Sequence, residues 1–237
     1  MRTVSFQDVL RGAAESTGRI YDTLSNDEFA LFRGFISRRL REAWESEYWP
    51  ELMLIETRTW DTSGDIEYIS FTQSGQTEIG QCYRILDKDP RSDFNFTEHP
   101  FYLHALGIVV NDGPDTPYIE YRKRAPELTG SDWSGSATYA VGDQVYYNGD
   151  FWNALTVRDD STAAPTASDT TNWEIQSIPY IFKPYLEKAA ASDMLLLDEK
   201  SDLAMAQQTM AREALDIEAI KLYRQQGQTS RIKVRTY

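Results

Sequence analysis

A single cysteine, Cys82, excludes an intramolecular disulfide, and with only two histidines, His99 and His104, there is no Cys/His cluster to hold a structural zinc. Basic residues are scarce as well. The chain carries 24 Lys and Arg against 37 Asp and Glu, a formal charge of -13. That balance excludes nucleic-acid binding through the whole surface and confines any phosphate contact to a local basic patch. No apolar run approaches the roughly 18 residues of a membrane span, and Met1 to Asp8 hold no apolar leader core. Neither a signal peptide nor a membrane contact is expected. Gly-x-Ser-x-Gly, Walker and Gly-x-Gly-x-x-Gly patterns are all missing, so the usual anchors of nucleophilic and nucleotide chemistry are absent.

The residues that could carry chemistry are poorly spaced for it. His99 and His104 lie five apart, an offset that matches neither one face of a helix nor one face of a strand. Asp61, Ser63, Asp65 and Glu67 alternate like a calcium loop, but Ile66 stands where an EF-hand needs Gly and Thr72 where it needs a bidentate Glu. A polar hairpin is the expectation there. The abundant carboxylates single out no acid/base pair. The sequence therefore predicts no catalytic residue, no metal site, no cofactor and no enzyme.

What is present is an ordinary globular composition, with 41% apolar and 26% charged residues over 237 positions. Ser5 and the Ser25…Glu28 capping box open two helices, expected over 5–17 and 25–48. The second carries Phe29, Phe32, Ile36, Leu40, Ala43 and Trp44 as an apolar stripe, with Arg33, Arg38, Arg41 and Glu45 on its back. Short β-branched and aromatic runs between turn formers follow, and predict an antiparallel β domain over 52–124. Residues 130–178 change texture, with Ser, Thr, Asp and Gly between aromatics and an Asn148-Gly149 hairpin signal. They are read as a small all-β insertion.

Helical patterning returns over 184–198 and 201–226. The last helix carries Leu203, Ala206, Met210, Ala214, Ile217 and Ile220 on one face, with Gly227 as its expected cap. The fold class is thus α+β: a helical hairpin or bundle (1–129 and 179–227) packed with a small antiparallel β domain, plus the inserted module. From Lys221 to Tyr237 there are five basic and no acidic side chains, and 228–237 alternate Ile232, Val234 and Thr236 with Arg231, Lys233 and Arg235. This tail reads either as a frayed terminus or as an extended strand that adds to the edge of a neighbouring subunit's sheet.

Two resemblances follow from specific residues. Trp133, Tyr139, Gly142, Asp143, Val145, Tyr147, Gly149, Ala154, Pro165 and Trp173 fall on the pattern of the small chitin-binding carbohydrate modules of families 5 and 12, with Trp152 where the family usually has Tyr. That resemblance implies a small β fold and surface glycans as partners, with Tyr147, Trp152 and Trp173 as candidate stacking residues. The chain departs from the pattern after Ala154, where Leu155-Thr156-Val157-Arg158 replace the exposed aromatic pair of sugar-stacking members.

The surrounding scaffold, through Tyr121-Arg122-Lys123-Arg124-Ala125-Pro126-Glu127-Leu128, Pro184 to Ala191 and Tyr223 to Gln228, resembles the head-to-tail adaptor (connector) proteins of tailed bacteriophages. The resemblance implies a virion structural protein at the neck, made in the host cytoplasm. It would assemble with itself into a ring of twelve between the portal protein and a tail or neck protein. DNA would pass through without specific binding, past a wall of negative charge. The C-terminal tail would then reach the portal, with Arg231, Ile232, Lys233, Val234, Arg235 and Tyr237 as the portal-binding residues and the inserted module hanging outward. The alternative reading is a carbohydrate-binding adhesion or tail-associated protein acting through 130–178.

Overall fold

In the computed structural model the described residues are 2–73, 76–158 and 163–230, the last six by their backbone alone. They form a mixed α+β fold of four helices and several small sheets. The chain divides into two units, residues 1–47 with 126–237, and residues 48–125. Among the described residues no helix is long and apolar enough to cross a membrane.

In the first unit, helix α1 (Phe6–Ser16) starts where Ser5 Oγ accepts from the Asp8 N–H. Helix α2 (Asn26–Ser46) starts on the full capping box: Ser25 Oγ accepts from the Glu28 N–H, and Glu28 accepts from the Ser25 N–H. Helix α3 (Lys183–Leu197) has Pro184 in its first turn, where a missing N–H costs nothing. It packs on α1, α2 and the last helix, α4 (Ser201–Ser230). Buried Phe32, Ile36, Leu40 and Trp44 supply the α2 face of this core, as their spacing predicts.

Polar contacts fix the helices in place. Asp193, buried in α3, accepts from Arg38 at 2.7 Å and from Arg39 at 2.6 and 2.9 Å. Arg19 joins Glu28 to Asp198, each at 2.9 Å, and the hydrogen bond to Asp198 holds that carboxyl below its ordinary range. Gly12 of α1 lies against the Glu187 side chain of α3, which a Cβ there would push aside.

The structure changes the reading of α4 in two ways. It is helical through Ser230, so Gly227 lies inside it and the expected extended segment cannot begin at 228. A glycine inside a helix costs only about 1 kcal/mol relative to alanine and does not by itself end one. The face that packs on α3 is also a different one. Ala204, Ala211 and Ala219 are buried, and Ser192 Oγ donates to the Ala204 carbonyl at 2.8 Å. Small side chains let the two backbones come close, and the larger apolar residues are left outside.

Residues 131–175 form a four-stranded sheet in the order Trp173–Ile175, Asp150–Ala154, Gln144–Tyr147, Ser131–Asp132. Its central hairpin turns at Asn148 and Gly149, both at positive φ (50° and 87°), as a two-residue primed turn requires. Strand alternation gives this hairpin two apolar faces. Val145, Trp152 and Ala154 point into a core shared with Tyr139 and Trp173. Tyr146 and Phe151 point the other way, onto Phe6 of α1, and Tyr146 also onto Phe29 of α2, with ring centroids 4.9 to 5.9 Å apart. The module is therefore part of the helical unit. Its second apolar face is buried against the first two helices.

The second unit is built on an antiparallel sheet in which Tyr118–Lys123 lies between Met53–Thr57 and Ile79–Leu86. Hairpins Asp61–Ser63 with Ile66–Tyr68, and Phe101–His104 with Gly107–Val110, complete it. The strand at 101–104 directly follows Pro100. Ile69, Ile85, Ile108, Ile119 and Tyr121 form the core. Buried Arg58 donates to Tyr121 Oη at 2.7 Å and to the Thr77 carbonyl at 2.5 Å, and buried Glu120 accepts from Tyr48 Oη at 2.7 Å and from Arg84.

Candidate functional site

Leu203, Met210, Ile217 and Ile220 repeat at intervals of seven, seven and three along α4, so they line one side of it over about 25 Å. Each is 47 to 58% exposed. Leu196 and Leu197, at the end of α3, are exposed as well. Large apolar side chains in a row on one helix side make this the most apolar exposed face of α4 among the described residues. Asp202, Glu213 and Asp216 run beside it, exposed and with no ion-pair partner among the described residues.

The second surface feature lies on the back of α2. A groove of about 470 Å³ is lined on its α2 side by the small residues Ala30, Gly34 and Ser37 and by the charged residues Arg33, Arg38, Arg41, Glu42 and Glu45. Its far wall is the extended segment at Leu128 and Thr129. That wall is held against α2 by Arg33, which donates to the Gly130 carbonyl at 2.9 Å, by Arg41 on Glu127 at 3.0 Å, and by Ser37 Oγ, which accepts from the Leu128 N–H. Arg38 and Arg41 keep more than half of their side-chain surface in solvent. The basic back of this helix is legible in the sequence. The groove is not, because its second wall comes from residues about 90 positions away.

The predicted sugar platform is divided by the fold. Trp152 and Trp173 are buried in the module's core: the Trp152 indole N–H donates to the Tyr147 carbonyl at 3.1 Å, and Trp173 meets the Tyr139 ring edge-on at 5.8 Å. Neither presents a ring face to solvent, which corrects their reading as stacking residues; a module this small needs them as core. Tyr147 is half-buried, edge-on to Trp133 at 5.3 Å. The tail residues Arg231, Ile232, Lys233, Val234, Arg235 and Tyr237 lie outside the described residues.

Among the described residues no group of three or more His, Cys, Asp or Glu side chains converges on a metal-sized site. Burial pushes the Cys82 thiol up to about 12, far from the range of a reactive thiolate. The chain matches no family model and no curated protein.

Proposed function

We propose that this chain is a structural protein of a tailed-phage virion, a head-to-tail adaptor that assembles into a ring between portal and tail and continues the DNA channel. The observation that carries the reading is the exposed apolar stripe of α4. It favours a subunit that works in an assembly, because an isolated molecule would hold Leu203, Met210, Ile217 and Ile220 in water. The net charge of -13 suits a wall past which DNA must slide without being gripped. The basic tail supplies the link to the portal, by strand addition and charge.

The test is negative-stain electron microscopy of the protein mixed with the candidate portal, using the full chain and one ending at Ser230. A new ring layer with the full chain alone is expected. No layer with either chain overturns the adaptor reading.

A further inference from the structure

We propose that the apolar stripe of α4 in one copy seats in the α2 groove of the next, a head-to-tail contact between two different faces of the same chain. The inference rests on the assembly reading above and names its two surfaces. Both belong to the helical unit, and both lie on helices that pack on α3 with their opposite sides.

Three observations bring the faces together. The first is shape. Gly34 lines the groove between Ala30 and Ser37, and a Cβ placed on it would meet nothing within 4 Å. The chain's own packing therefore does not require a glycine there, although glycine is disfavoured in a helix interior relative to alanine. With Ala30 and Ser37 it leaves a shallow surface open to incoming side chains such as Met210 and Ile217.

The second is length. From Ala30 to Glu45 the groove runs about 22 Å along α2, close to the roughly 25 Å from Leu203 to Ile220. The third is charge. Asp202, Glu213 and Asp216 flank the stripe, and the groove is lined by Arg33, Arg38 and Arg41 against Glu42 and Glu45; Arg38 and Arg41 each bind a carboxylate of their own chain through Nη2 and, among the described residues, keep further donors facing solvent.

A contact between unlike faces leaves one free stripe and one free groove at the ends of any short chain of subunits, so it propagates until it closes into a ring. A stripe that met its own copy would stop at a dimer.

The experiment uses the full chain without portal. In a Cys82→Ala background, Gly34→Cys and Met210→Cys proteins are oxidised separately and as a mixture at high concentration. A disulfide-linked heterodimer is expected from the mixture, with little from either protein alone. Efficient linkage of Met210→Cys with itself would mean that stripes meet stripes, and overturns the proposal, as does no linkage in any sample.

A second pair of variants reads the same contact in solution. Gly34→Leu fills the groove, and Met210→Glu with Ile217→Glu spoils the stripe; all three positions are open or exposed, so both proteins should keep the parent's circular dichroism and melting temperature. Each should sediment as a monomer, and the two mixed should form a 1:1 dimer that grows no further. Full assembly by Gly34→Leu alone overturns the proposal. A cross-linked pair from a chain that adds no layer to portals supports this contact and overturns the adaptor reading.

Discussion

The backbone N–H of Phe6 donates to the Asp150 carboxylate at 2.9 Å, so the first turn of α1 is capped by a residue 144 positions later in the chain. Beside it the Gln7 N–H donates to the Gly149 carbonyl at 2.8 Å. Two orphan donors of a helix start are thus satisfied by the turn of the inserted hairpin. Burial, with the nearby Asp8 charge adding to it, raises the Asp150 carboxyl above its ordinary range despite that hydrogen bond.

A raised folded value fixes the sign of the pH dependence. The contribution of Asp150 to stability is complete below the ordinary aspartate range and is lost as pH rises through the raised value. Asp150→Asn keeps an oxygen to accept from Phe6 and removes the titration. The gain in melting temperature of the variant over the parent should be larger at pH 7 than at pH 4. An equal difference at both pH values would show that the site does not couple protonation to folding.

Phe151 is fully buried against Phe6 and Tyr146. Phe151→Ala should cost about 3–5 kcal/mol in urea unfolding, in the range for a large-to-small change in a core. Amide exchange in α1 should quicken along with that in 144–154, because one ring serves both. Exchange that changes in the module alone would contradict the shared face.

Asp193 and its two arginines should respond unequally. Asp193→Ala leaves Arg39 without its main partner in a mostly buried place and should destabilise by about 3 kcal/mol. Arg38 is more than half exposed, so Arg38→Ala should cost less than about 1 kcal/mol. Chemical denaturation of the two variants checks the ranking, and similar losses would refute it.

Cys82 should stay unmodified by a thiol reagent at pH 8 in the folded protein and react fully in denaturant, since burial holds its thiol at about 12. Rapid labelling of the folded chain would place the residue in a more open setting.

Local signals carried much of the fold. The serines at 5 and 25, Glu28, Pro184 and the Asn148-Gly149 pair act within a few residues of themselves, and the elements they start lie where their spacing predicts. The stripe on α4 was equally visible as a pattern. Its periodicity says that Leu203, Met210, Ile217 and Ile220 share a side of the helix, but not which side meets α3. That choice fell to Ala204, Ala211 and Ala219, whose small volume allows a closer approach than the larger residues would.

The sequence by itself determined the helices, the hairpin turn and the acidic balance, because each depends on residue type and short spacing. Tertiary structure alone decided that the inserted module is bound to the helices by Phe6, Phe29, Tyr146 and Phe151. It also decided that Trp152 and Trp173 are core, that Gly34 lines an open groove and that the apolar side of α4 is exposed. Those outcomes depend on which surfaces meet, and that is settled by shape and by burial summed over residues distant in the chain.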